Sequence, residues 1–303
     1  MTPIFEHTSA GFKLFILLGL LLFGALIGML LGLVLAALFF GLPVGQILLD
    51  PSSMEGLQIA RLMQISGQIG LFVFPPLFYS VLVSKFPLKS LGFTSFRQPD
   101  IILFGIITMF IGLPLIHFLG EMNQQIHLPE FLAGLEQWMI TKEEQAALLS
   151  EQFLQVTTFS GLIFNLFMIA IIPAIGEELL FRGAMQPLLI RMFKNVHLGI
   201  FIASLLFGLM HLQFYGLLPR VALGLFMGYY FYYSKSLWVP IMMHFVNNGT
   251  AVIVYFLNHN GYIQIEMEHF GAVESHWPVV LSLILVSVGI IYTARKETAK
   301  TEN

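Results

Sequence analysis

From Leu14 to Phe40 the chain carries no charged residue. A helix needs about 20 apolar residues to cross the hydrocarbon core. The run is also too long for the apolar part of a cleaved signal peptide, about 7–15 residues. It reads as an uncleaved transmembrane helix. In lipid every backbone polar group must be satisfied within the spanning segment, so such runs are helical. Gly24, Gly28 and Gly32 recur every fourth residue within it. That spacing places three small residues on one face, where another helix can approach closely.

Seven further apolar segments have near-spanning length: about 62–84, 101–120, 159–180, 197–212, 218–234, 237–257 and 277–294. The segments at 197–212 and 218–234 are short and carry polar residues, so hydropathy ranks them lowest. Charged residues make up 10% of the 303-residue chain, against about 25% in a soluble domain. The expected fold is an all-α polytopic membrane protein of about eight transmembrane helices. The net charge of −3 implies no nucleic-acid partner, and the lack of cysteine excludes disulfides, thiolate metal sites and a cysteine nucleophile.

Charge placement orients the chain. With the N-terminus cytoplasmic, the inner segments hold Lys13, Lys85, Lys89, Arg97, Arg191, Lys194, Lys235, Arg295, Lys296 and Lys300, ten of the fourteen Lys and Arg. The outer regions and outer helix ends hold Arg61, Lys142 and Arg220. Arg182 remains within the fourth span or at its end. Lys and Arg favour the cytoplasmic side, which supports eight spans with both termini inside. Residues 121–158 interleave Glu121, Glu130, Glu136, Glu143, Glu144 and Glu151 with apolar side chains. They read as an amphipathic helix at the outer surface. Glu266, Glu268 and Glu274 make a second acidic outer loop. Both acidic stretches read as solvated faces without chemistry. The expected divisions are N-terminal helices and the outer amphipathic segment over 1–158, a core over 159–257, and the outer loop, last helix and basic tail over 258–303.

Ionisable residues inside a span are costly and usually face a bundle interior or a water cavity. Those here are Glu177, Glu178 and Arg182 on the fourth span, His211 on the fifth and His244 on the seventh, with Asn248 one turn beyond. Arg220, at the start of the sixth, is a weaker case. The remaining histidines, His117 among them, read as solvated or interfacial. Glu178 and Arg182 are four apart and can pair on one helix face. Glu177 is rotated by about 100° from Glu178 and points elsewhere. Phe207 lies one turn before His211 and reads as a packing wall. A buried salt-bridge cluster that merely holds helices together is the alternative for the three charges. Polar groups on two further spans weigh against it.

A carboxylate and an imidazole facing one cavity can activate water, with Glu177 as general base and a histidine orienting the water. His244 and Asn248 can hold the oxyanion that forms when water adds to a carbonyl. The same groups suit a divalent metal such as zinc, with Glu177, His211 and His244 as three ligands. No HExxH occurs. Metal-bound and carboxylate-bound water both stay open.

The ordered set "EELLFR" (Glu177, Glu178, Arg182), "FGLMH" (Phe207, His211) and "HFVNN" (His244, Asn248) resembles the EExxxR, FxxxH and HxxxN motifs of the CPBP intramembrane proteases. That family includes the type II CAAX prenyl endopeptidases and the bacterial Abi proteins. The resemblance covers about 159–257. It implies an eight-helix membrane endopeptidase acting on a membrane-associated protein or peptide. It further implies Glu177 and His211 as the water-activating pair, His244 and Asn248 on the oxyanion side, and Glu178 and Arg182 in support. The family is described as metallo-, with the need for metal contested. The expected location is a bacterial plasma membrane, with the site toward the cytoplasmic half. A non-catalytic scaffold or a proton-coupled transporter using the same buried residues is the competing function.

Overall fold

The computed structural model describes residues 3–41, 53–94, 99–265, 271–273 and 275–301, with side chains through Lys296. Arg97, Glu266, Glu268, His269 and Glu274 lie outside the described residues. The described residues form helices and connecting turns, with no strand among them. The principal helices are α1 (Ala10–Phe40), α2 (Met54–Val83), α3 (Pro99–Ile111), α4 (Leu113–Gln124), α5 (Ala133–Leu154), α6 (Phe159–Phe193), α7 (Val196–Leu209), α8 (Leu217–Ser234), α9 (Trp238–His259) and α10 (Trp277–Thr301).

Among the described residues, five helices are long and apolar enough to cross a membrane: α1, α2, α6, α9 and α10. The pair α3 and α4, bent by 46°, makes a sixth if counted as one span. At that break the Ile111 carbonyl accepts from Ser282 Oγ of α10 at 2.6 Å. α7 has only 14 residues, and α8 carries Arg220 and a tyrosine-rich end. These two correspond to the segments ranked lowest by hydropathy. The protein is an all-helical, polytopic membrane protein. Large apolar side chains such as Phe15, Leu22, Leu38 and Leu283 stay exposed along α1 and α10, as lipid-facing residues do.

The glycine spacing in α1 has the consequence expected of it. Gly24, Gly28 and Gly32 are all buried. A Cβ on Gly24 would lie 2.2 Å from the Gly70 carbonyl oxygen, and one on Gly28 would lie 2.6 Å from that of Ser66. The backbones of α1 and α2 therefore touch where only glycine fits.

Three π-helical stretches interrupt the long helices: Ile69–Val73 in α2, and Leu166–Ile171 and Leu179–Met185 in α6. Each ends two residues before a proline: Pro75, Pro173 and Pro187. Proline offers no N–H to the carbonyl four residues back, and its ring crowds that carbonyl. A wider turn just upstream relieves the crowding and frees carbonyls for other donors. α6 thereby continues to Phe193, well past the expected end near 180. Glu177 consequently sits near the middle of a 35-residue helix rather than in the inner part of a shorter one.

The helices alternate in direction. One end of the bundle gathers both terminal segments: Phe5 N–H donates to the Leu82 carbonyl, and Leu237 N–H to that of Gly92. Lys296 pairs with Asp100 there. The other end holds α5 and the turn 210–216, tied together where Glu143 Oε2 accepts from Tyr215 N–H.

Candidate active site

Glu177 and Glu178 diverge on α6, as their 100° offset requires. Glu178 is fully buried. Its Oε1 accepts from Arg182 Nη1 at 2.9 Å and from His244 Nδ1 at 2.8 Å. One carboxylate oxygen thus joins α6 to α9. Arg182 is buried as well, donates Nη2 to the Gly224 carbonyl of α8 at 3.1 Å, and lies 4.7 Å from the Phe207 ring centroid. One turn on, Gln186 Nε2 donates to the Gly228 carbonyl. Gly224 and Gly228 allow the approach: a Cβ on either would meet Ser204 or Ile200 of α7 at 2.8 Å.

Glu177 faces the other way. Its Oε2 lies 3.9 Å from His211 Nε2 and has no hydrogen-bond partner within the protein. His211 is not on a helix, contrary to the sequence reading. α7 ends at Leu209, and His211 falls in the following turn, where Leu212 takes a left-handed φ of 52°. The ring is nevertheless fixed, because its Nδ1–H donates to the Phe207 carbonyl at 3.0 Å. A carbonyl can only accept, so Nε2 of the neutral ring carries the lone pair and turns it toward Glu177. The turn is held by neighbours: Arg220 donates through both terminal nitrogens to Gln213, and Asn123 Nδ2 to the Phe214 carbonyl.

Asn248 lies one turn beyond His244 on α9. Pro173 leaves the Ile169 carbonyl without its α-helical donor, and Asn248 Nδ2 donates to that carbonyl at 3.0 Å. Asn248 Oδ1 accepts from Asn247 Nδ2 at 3.1 Å. Phe207 makes edge-on contacts with His211 (5.3 Å) and His244 (5.9 Å).

Two cavities meet at these residues. One of about 450 Å³ is lined by Glu177, His211, Asn248 and Gln68 beneath Leu149, Phe153 and Leu154 of α5. The other, about 460 Å³, is lined by His211, His244, Asn247, Asn248 and Arg220. Leu154, Ile169, His211, Gln213 and Asn248 line both. A further cavity of about 760 Å³ at the α3–α4 bend shares Pro219, Asn247 and Ala251 with the second. His117, read as solvated, lines it with a half-buried side chain.

The structure brings all seven motif residues into one neighbourhood. It also recruits residues the sequence reading set aside. Arg220 lines the chamber and anchors the turn that bears His211. Glu136 and Glu143, read as solvated, hold Tyr215, whose hydroxyl and backbone N–H donate to them. His127 draws Glu136 further, and that hydrogen bond keeps the Glu136 carboxyl below its ordinary range. The cavities lie beneath α5, which sits at the end of the bundle away from both terminal segments.

A resident metal fits this arrangement poorly. Catalytic zinc takes three protein ligands. Among the described residues no group of three His, Cys, Asp or Glu side chains is placed to hold one. Glu177 and His211 supply two donors, and His244, whose Nδ1–H rests on Glu178 and leaves Nε2 open, is not grouped with them.

A polytopic helical frame thus encloses a Glu–His pair. Residues 159–250 match the family model described as Type II CAAX prenyl endopeptidase Rce1-like. The matched segment is similar to this CAAX protease family and contains all seven motif residues. Comparison with curated proteins and with solved structures returned no match.

Proposed function

We propose that the protein is an intramembrane endopeptidase that hydrolyses a peptide bond of a membrane-associated protein or peptide. The observation that carries this reading is the pairing of Glu177 Oε2 with the His211 Nε2 lone pair at 3.9 Å. Two acceptors at that separation suit a water that donates one proton to each. Such a water turns its own lone pairs toward a substrate carbonyl.

The oxygen adds to the carbonyl carbon while Glu177 takes its proton as general base. The resulting oxyanion meets the second N–H of Asn248 and Nε2–H of His244. His244 offers that donor only as an imidazolium, its Nδ1–H resting on Glu178. On collapse the C–N bond breaks, and the leaving amine takes the proton from Glu177. Arg182 keeps Glu178 charged and in place, and no step passes through a metal.

The basic residues Lys13, Lys85, Lys89, Arg191, Lys194, Lys235, Arg295 and Lys296 mark the terminal end as cytoplasmic. With eight spans, α7 and α8 included, the site opens on the opposite, outer side beneath α5. A bacterial plasma membrane suits this orientation.

The test is cleavage by the purified protein in detergent, read by mass spectrometry of membrane-derived peptides. Wild type cleaves and Glu177→Ala does not, with unfolding behaviour unchanged. The scaffold reading wins if Glu177→Ala, His211→Ala and His244→Ala all preserve a cellular phenotype that deletion removes.

A further inference from the structure

The sequence buries a lysine far from the catalytic residues. Lys13, in the first turn of α1, is 8% exposed. Its Nζ donates to the Glu6 carbonyl oxygen at 2.7 Å. No carboxylate among the described residues lies within ion-pair distance of it. The Glu6 side chain instead stands 3.6 Å from the exposed Lys85. Lys13 opens into a cavity of about 210 Å³ between α1, α2 and the end of α6. The exposed Arg191 lines the same cavity, with Glu6, Tyr79, Ser84 and Ser90. Arg191 makes no ion pair among the described residues and repels Lys13, which the Glu6 carboxylate attracts more weakly.

Two cations, Lys13 and Arg191, stand around one small polar space against the single carboxylate of Glu6, which already pairs with Lys85, and a buried cation keeps its desolvation penalty. A phosphate would remove that cost. Lys13 retains two N–H donors, the guanidinium of Arg191 presents a planar fork that matches phosphate oxygens, and the Tyr79 hydroxyl adds a neutral donor. The cavity lies at the end of the bundle that gathers both termini and most of the Lys and Arg. That is the level of the headgroups of an anionic leaflet.

We propose that this cavity is a phosphate-binding site, taking the phosphate of an anionic lipid headgroup or a free phosphate. Gly183, Ala184, Pro187 and Leu188 of α6 form one wall of it. Occupancy therefore clamps α1 onto the helix that carries Glu177 and Arg182. The site is independent of the protease reading, since none of its residues enters that chemistry.

The experiment reads the thermal unfolding midpoint of the full-length protein in uncharged detergent. Short-chain phosphatidylglycerol, inorganic phosphate and extra neutral detergent are titrated in turn into wild type, Lys13→Met and Arg191→Gln. Phosphatidylglycerol raises the wild-type midpoint by several degrees and saturably, as a ligand of the folded state does. Extra detergent does not, and each variant loses most of the rise. A matching rise with inorganic phosphate alone, also lost in the variants, supports the site with free phosphate as ligand. The proposal is overturned if neither phosphate source shifts the wild type, or if both variants keep the full shift. Lys13→Met removes a buried charge and Arg191→Gln alters an exposed residue, so both variants are expected to fold.

Discussion

Glu178 and His244 meet at 2.8 Å across two helices, and the carboxylate oxygen that receives His244 also receives Arg182. A single buried oxygen therefore sets both the charge balance and the orientation of an imidazole in the chamber. Its neighbour Glu177 makes no hydrogen bond within the protein through Oε2. Adjacent residues on one helix thus carry opposite duties.

That division predicts a split in stability. Glu178→Gln leaves Arg182 charged and uncompensated in the interior, at a cost of about 3–5 kcal/mol. Glu177→Gln removes a carboxylate that no protein group pairs closely, and changes stability by less than about 1 kcal/mol. Reversible unfolding of the two variants in detergent measures the difference. Equal losses would contradict the split.

His244→Gln removes a proposed oxyanion donor and is expected to cost about 10²–10³ in kcat/KM. Full activity in that variant would show that His244 is not such a donor.

Pro173 and Asn248 are linked through the Ile169 carbonyl. Asn248→Leu leaves that carbonyl short of a donor, at a cost of about 1–3 kcal/mol in stability. It also removes an oxyanion donor, with a loss of about 10²–10³ in kcat. In a Pro173→Ala background the backbone N–H returns, so the stability cost of Asn248→Leu shrinks while the catalytic cost stays. The four proteins of this cycle separate the two roles.

Acid acts on the roof of the site. The hydrogen bond from His127 lowers the Glu136 carboxyl below the ordinary carboxylate range, with Tyr215 contributing less. A depressed folded-state value stabilises the fold above the unfolded carboxyl's range, and the contribution is lost as pH falls through the folded value. Docking of α5 on the 210–216 turn therefore loosens below the usual carboxylate range. Hydrogen exchange across 127–145 rises there in wild type. In Glu136→Gln it is already raised at neutral pH and changes less with acid.

The sequence made visible what depends on neighbours along a helix. The glycine spacing of α1 and the angular separation of Glu177 from Glu178 are of that kind. So was the ordered set of three motifs. Contacts between helices leave no such trace, and the Glu178–His244 bond, which spans 66 positions, could not be read. His211 was placed on a helix because four-residue spacing from Phe207 fits one. The histidine keeps that spacing in a turn by bonding the Phe207 carbonyl. α6 outruns its apolar segment of about 159–180, because α-to-π transitions before Pro173 and Pro187 carry the helix onward to Phe193. The glutamates of α5 look solvated in isolation, and the packing of α5 on the 210–216 turn brings Tyr215 to Glu136 and Glu143.

The central claim is that Glu177 and His211 act on one water as a unit. A double-mutant cycle on kcat/KM with Glu177→Gln, His211→Gln and the double variant tests it most directly. Each single substitution is expected to cost about 10²–10⁴, the usual worth of a positioned acid or base. The double variant is expected to be little worse than either single one, as residues that work together behave. Losses that multiply in the double variant, or full activity in Glu177→Gln, would contradict the account.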